Sequence, residues 1–251
     1  MNTTLTALIV FGCLIGAVLV GRTLRGLLPE AHLSAESKDA VKLAMGLVAT
    51  MSALVLGLLV SSAKGSYDTE RSEVIQMAAK ITFLDRVLSA YGSEAADARA
   101  QLRKTVEEAG RQMWPGEMRR PSRLAPNSQA GNVMYAAIQS LSPHDDTQRS
   151  LKAHAATVAT DLGQVRSLLV AQSVPSVSTP MLIILVLWLV VIFLGFSVLA
   201  PPNATTMLAL IVSALAVSGA IFLILELDQP FGGLIRISSE PMLNALHQLG
   251  K

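Results

Sequence analysis

The sequence predicts an all-α membrane protein, with four transmembrane helices and a helical soluble insertion between the second and third. Three observations predict it. Of 251 residues, 51% are hydrophobic and 15% charged, against the roughly 25% charge of a soluble domain, and the mean hydropathy is +0.50. Four uncharged apolar runs reach the roughly 20 residues that a helix needs to cross a bilayer. Between the second and third runs, residues 64–179 hold 14 of the 20 basic and 12 of the 18 acidic residues, and their apolar positions follow helical spacing.

The first run, 1–21 (MNTTLTALIVFGCLIGAVLVG), lacks a basic leader and is long for the core of a cleaved signal, so a retained helix is expected. Its Gly12 and Gly16 share a face suited to close helix packing. The second run, 43–63, leads into GLLVSSAKGSYDTERSE, where apolar sequence becomes charged with no proline between. Gly65 is the one candidate breaker. A glycine costs about 1 kcal/mol in a helix interior, and good helix formers flank it on both sides. The second span is therefore expected to continue past Gly65 as one long helix.

In the insertion, Val74, Met77, Ile81, Leu84, Leu88 and Tyr91 recur at steps of three and four, one apolar stripe that ends at Gly92. A second helix, about 94–114, carries Leu102, Val106, Ala109 and Met113. Residues 114–132 are rich in Pro, Gly and Arg and read as a loop, followed by a short helix at about 132–141. SPHDD, 142–146, reads as a helix start, with acids near the positive end of the dipole. The helix behind it carries Leu151, Ala155, Val158, Leu162, Val165 and Leu169. The matching stripes of the first and last of these helices, each next to a membrane span, predict that they pack side by side as an extension of the transmembrane bundle; the alternative is an independent soluble helical domain on flexible linkers.

Pro175 and Pro180 punctuate the approach to the third run, 181–200. PPN, 201–203, predicts a tight hairpin into the fourth, 204–225, with Asn203 as its cap. NAT also matches a glycosylation acceptor, but a minimal loop against the bilayer favours capping. Beyond it, Glu226 and Asp228 are expected where the span meets water, Pro230 halts the helix, Phe231 is an interfacial anchor, and Gly232 with Gly233 allows a sharp turn. A short amphipathic helix carrying Met242, Leu243, Leu246 and Leu249 follows. The chain thus divides into a first transmembrane hairpin (1–63), a soluble helical domain continuing span two (64–179), a second hairpin (180–225) and a C-terminal turn with an amphipathic tail (226–251).

This layout puts both termini and the insertion on one side of the membrane. Arg22, Arg25, Lys38 and Lys42 mark the other side, against Lys64, Arg71, Lys80, Arg166 and Arg236 on theirs, so charge bias does not choose an orientation. A net charge of +2 with no basic run and interleaved aromatics speaks against nucleic acid. One cysteine, Cys13, excludes an intrachain disulfide. No phosphate loop, GxSxG or HExxH is present, and a helix start accounts for His144, Asp145 and Asp146. No catalytic residue, cofactor or metal is expected, and the chain does not read as an enzyme. The apolar runs contain no charge of the kind ion-coupled pumps require.

What remains is the small-residue geometry of the second span, where Gly46, Thr50, Ala53, Gly57 and Ser61 fall on one face with Ser62 nearby. Two readings stand: tight packing within the bundle, or a pore wall with Met51, Leu54 and Leu58 as its constriction. The fourth span has a similar stripe, Ala209, Ser213, Ala216 and Ala220, so small faces are not unique to one helix, which favours packing.

ALVLGLLVSSAKGSYDTERSEV and LILELDQPFGGLIRISSEPM resemble a bacterial membrane family with a bestrophin-like domain. The resemblance covers nearly the whole chain and extends, more distantly, to the bestrophins proper. There a span enters a cytoplasmic helix through a Tyr-Asp junction followed by Arg, and Pro-Phe-Gly follows the last span. Here Tyr67, Asp68 and Arg71, and Pro230, Phe231 and Gly232, stand in those places.

The resemblance implies a pentameric ion channel with its pore along the second span, and it puts the termini and the large domain in the cytoplasm of a bacterial inner-membrane protein. The phenylalanine-rich neck of animal bestrophins is absent, and their calcium-binding acidic cluster has no counterpart. The expected partners are the lipid bilayer, further copies of the chain and small ions. Ser61, Ser62 and Lys64 are expected at the soluble mouth of the pore. The alternative is a non-conducting scaffold or signalling protein whose helical domain binds a partner.

Overall fold

The longest element is a single helix of 57 residues, Ala35–Tyr91, that passes through Gly65 without a break. It belongs to a computed structural model that describes residues 2–27, 29, 34–114, 128–172, 177–201 and 203–249. The elements are α1 (Thr3–Leu27), α2 (Ala35–Tyr91), α3 (Ala96–Met113), α4 (Ser128–Gln139), α5 (Asp146–Gln172), α6 (Thr179–Leu199), α7 (Ala204–Leu227) and α8 (Glu240–Gln248), with a 3₁₀ turn at Ser93–Ala95 before α3. No strand occurs among the described residues. Four helices, α1, α2, α6 and α7, are long and apolar enough to cross a membrane.

Two helices extend beyond the runs that hydropathy delimits. α2 starts eight residues before 43, where Ser34 Oγ accepts from Ser37 N at 3.3 Å and Lys42 pairs with Asp39 at 3.1 Å. α1 likewise continues to Leu27, so much of the expected connection is helical. Capping and one-turn charge pairs extend a helix without adding apolar residues.

The chain forms two compact units, Met1–Tyr67 with Pro175–Ile235, and Asp68–Val174 with Arg236–Lys251. In the first, Leu14, Val18, Leu59, Ala63, Leu185, Phe193, Ala214 and Ile221 share one buried core. Close approach is fixed by glycines. A Cβ on Gly21 would lie 2.7 Å from Leu194 O and 2.8 Å from Ser197 Cβ, and one on Gly195 would lie 2.6 Å from Met45 Sδ. Beside Gly21, Ser197 Oγ donates to Val18 O at 2.6 Å. Gly12 and Gly16, by contrast, have no described neighbour within 4 Å of an added Cβ, so among the described residues they are not sites of close helix approach.

Asn203 caps α7 as expected, accepting from Thr206 N at 2.8 Å, and Pro180 occupies the first turn of α6, where its missing N–H costs no bond. The outer faces expose rows such as Ile183, Leu187 and Val191 on α6, and Leu208, Val212 and Leu215 on α7. Apolar rows of this extent suit hydrocarbon rather than water.

In the second unit the stripe Val74, Met77, Ile81, Leu84, Leu88 and Tyr91 is buried. α2 ends where Gly92 takes φ +118°, a conformation that glycine adopts without steric cost. The distal part of α2 meets α5 side by side, as the stripes predict. The Phe83 and His154 rings pack edge to face with centroids 5.4 Å apart, and Lys80 Nζ donates to Asp161 Oδ2 at 2.8 Å. α5 starts after Asp145, whose Oδ1 accepts from Gln148 N at 2.6 Å, while Gln148 Oε1 accepts from His144 N at 2.8 Å, a reciprocal cap.

α4 starts at Ser128, so the last residues of the expected 114–132 loop are helical. Residues 115–127 and Pro175 lie outside the described residues. Lys152 Nζ donates to Gln139 O and Leu141 O, 2.7 Å each, at the end of α4, satisfying carbonyls that a helix terminus leaves open. The tail helix α8 buries Met242 and Ala245.

Candidate functional site

At about 100° per residue, Met45, Ser52, Leu59 and Ala63 fall on one side of α2 and are buried. The sequence-predicted set spreads over the rest of the circumference. Gly46, Thr50, Ala53, Gly57, Ser61 and Ser62 are all exposed, and so are Met51, Leu54 and Leu58, at 46%, 59% and 63%. A Cβ built on Gly46 or Gly57 meets nothing described within 4 Å, so no described residue packs closely against them.

The polar groups of this face differ. Thr50 Oγ1 donates to Gly46 O at 2.9 Å, leaving its lone pairs and methyl outward. Ser61 and Ser62 find no hydrogen-bond partner among the described residues. One turn on, Lys64 Nζ stands 5.7 Å from the centroid of the Tyr67 ring, within cation–π range. Asp68 and Arg71 follow on the same helix, both exposed.

The second cluster is the turn after α7. Glu226 and Asp228 are expected in water, but Glu226 is 2% exposed. It is held by donors: Thr3 Oγ1, Leu234 N at 2.5 Å and Ile235 N at 3.4 Å. A buried carboxylate is tolerated only when so satisfied. Gly233, at φ +100°, allows the turn, and an added Cβ there would run into the Glu226 carboxylate. Asp228 Oδ1 accepts from Val177 N at 3.2 Å. Pro230 is buried, Phe231 half-buried and Gly232 exposed.

Sequence reasoning missed two features, both in the second unit. One is the Asp85–Arg99 pair, Nε to Oδ1 at 2.7 Å and Nη2 to Oδ2 at 2.9 Å. Its signal was a charge adjoining the apolar stripe, beside Leu84. The other is a cleft of about 1000 Å³ among α2, α3, α4 and α5, which no periodicity announces.

Four apolar helices that expose apolar rows outward and one small-residue face besides define a polytopic helical membrane protein. Residues 12–242 match the family described as bestrophin-like domain, and the chain belongs to that family. A crystal structure of a bacterial bestrophin homologue from Klebsiella pneumoniae, bearing one substitution, is similar at TM-score 0.72 and 14% identity over 99% of this chain and 97% of that one. A second variant gives 0.67 at 15% over 96% and 97%, and a third 0.66 at 14% over 94% and 97%. No curated protein matches the chain. The fold is thus shared with bacterial bestrophin homologues, all-helical among the described residues with four membrane-spanning helices.

Proposed function

We propose that copies of this chain assemble into a bestrophin-like ion channel of the bacterial inner membrane, with α2 of each copy lining the path. The observation that carries the reading is the small-residue face of α2: Gly46, Thr50, Ala53, Gly57 and Ser61 are exposed, away from the buried side. Small residues leave room for a path, and hydroxyls solvate an ion that has shed water. Met51, Leu54 and Leu58 form the apolar constriction that limits flow. Ser61, Ser62 and Lys64 stand at its mouth, where Lys64 favours anions and Asp68, one turn on, offsets it. Residues 64–179 form the soluble domain, and that domain and both termini lie in the cytoplasm, as the family resemblance implies. The chemistry is passage of ions, not catalysis.

The test is ion flux from liposomes containing the purified protein, with the mass of the assembly measured in parallel. Flux above empty vesicles, raised further by Leu54→Ala or Leu58→Ala, supports the channel. An oligomer whose flux stays at the empty-vesicle level under several ionic conditions supports the scaffold instead, and a strict monomer removes the path altogether.

A further inference from the structure

We propose that the second unit binds a single-chain anionic amphiphile of the long-chain carboxylate class, its head on Arg166 and its tail between α2, α3, α4 and α5. The cleft among these helices, about 1000 Å³ and open to solvent beside the exposed Tyr135 and Leu168, lies at the upper end of the range for small-molecule sites. Met77, Ile81, Val106, Met134, Leu162 and Leu168 supply apolar wall. The serine and threonine hydroxyls that reach it are turned back onto their own helices. Thr105, Thr160 and Ser167 donate to Gln101 O, Ala156 O and Gly163 O, each at 2.9 Å, so these residues present mainly carbon to the chamber.

Arg166 is the one charged side chain among the described residues lining the cleft. Its Nη2 donates to the Gln112 amide oxygen at 3.1 Å, and Gln112 Nε2 in turn donates to Glu108 Oε1 at 3.4 Å. The amide is thereby oriented to accept from the guanidinium without neutralising it. No carboxylate pairs with Arg166 among the described residues. A guanidinium has five donors in a planar fork, a geometry that fits a carboxylate bidentately. An apolar chamber carrying one unneutralised cation selects a ligand with one negative group and an apolar remainder. Asn132, Gln164 and Tyr135 are further polar side chains among the described lining.

The experiment uses the full chain in nanodiscs and a diazirine-bearing analogue of hexadecanoate, with adducts mapped by mass spectrometry after irradiation. Adducts are expected on peptides containing Val106, Met134 and Leu168. Arg166→Gln should lower them at least tenfold, Arg166→Lys should keep most of them, and Ala109→Trp, which fills the chamber, should abolish them. Helical content and melting of each variant are followed by circular dichroism, so that loss of fold is told apart from loss of binding. Adducts confined to α1, α6 and α7, or unchanged in Arg166→Gln, would overturn the proposal.

Discussion

Arg99 grips Asp85 with both arms of its fork, Nε at 2.7 Å and Nη2 at 2.9 Å, joining the distal part of α2 to the start of α3. The Asp85 side chain is 10% exposed and that of Arg99 24%, so the pair is largely removed from water. Its hydrogen bonds to Asp85 hold the guanidinium even further above its ordinary range, and it remains charged at any accessible pH. Removing either partner strands the other: Asp85→Ala and Arg99→Ala should each cost about 2 kcal/mol. The double variant should cost less than the two combined, by about 1–3 kcal/mol of coupling. Thermal melting of the four proteins of the cycle measures this, and strict additivity would show that the pair contributes nothing.

Tyr91 closes the α2 stripe with a buried hydroxyl that has no hydrogen-bond partner among the described residues. Burial first, then the Glu94 and Asp145 charges, raises its pKa above the ordinary tyrosine value. A folded-state pKa above the unfolded one gives a contribution that is full below about pH 10 and is lost as pH rises through the folded value. Tyr91→Phe removes both the stranded hydroxyl and that loss. It should melt no lower than the parent at pH 7, and should fall less steeply as the pH is raised from 9 to 11. Parallel melting curves of the two proteins across that window would contradict the assignment.

Trp114 is 2% exposed and donates Nε1–H to Ile237 O at 2.8 Å, while Arg103 Nη1 reaches Leu249 O at 3.3 Å. Together they clasp both ends of the segment that carries α8. Trp114→Phe leaves most of the apolar contact and orphans the carbonyl, at a cost of about 1–2 kcal/mol. Limited proteolysis should then cut between 238 and 249 faster than in the parent, with the rest of the digestion pattern unchanged.

The glycines separate packing within the chain from contacts outside it. Gly21→Ala forces a methyl against Leu194 O and Ser197 and should destabilise by about 1–3 kcal/mol. Gly57→Val meets no described atom within 4 Å at its Cβ, so stability of the isolated chain should change by less than about 1 kcal/mol. If α2 faces its own copies, the same change should instead alter assembly mass or ion flux. Unaltered assembly and flux in Gly57→Val would remove the α2 face from the proposed path.

Much of the fold is legible in the sequence because its signals are local. Hydropathy marks four spans, stripes at steps of three and four mark the helices of the insertion, and Asn203, Asp145 and Gly92 sit where capping and termination chemistry need them. Continuity of α2 through Gly65 follows from the small cost of one glycine among good helix formers. Less legible is whatever depends on residues far apart in the chain. Glu226 reads as an acid meeting water because its donors, Thr3 and the backbone of Leu234 and Ile235, come from another helix and from a turn. α2 outruns its apolar run because capping and charge pairs carry no hydropathy. The Arg166 chamber needs four helices at once and leaves no trace in any one of them.

Gly232 and Gly233 stand side by side and look interchangeable on paper. Gly233 has a left-handed backbone and a carboxylate where a methyl group would go, while open space surrounds the added Cβ at Gly232. A saturation library across the pair, sorted for well-folded protein, should accept many replacements at 232 and almost none at 233. Two neighbouring codons with the same meaning would then carry opposite mutational tolerance, set by a single buried acid seven residues upstream.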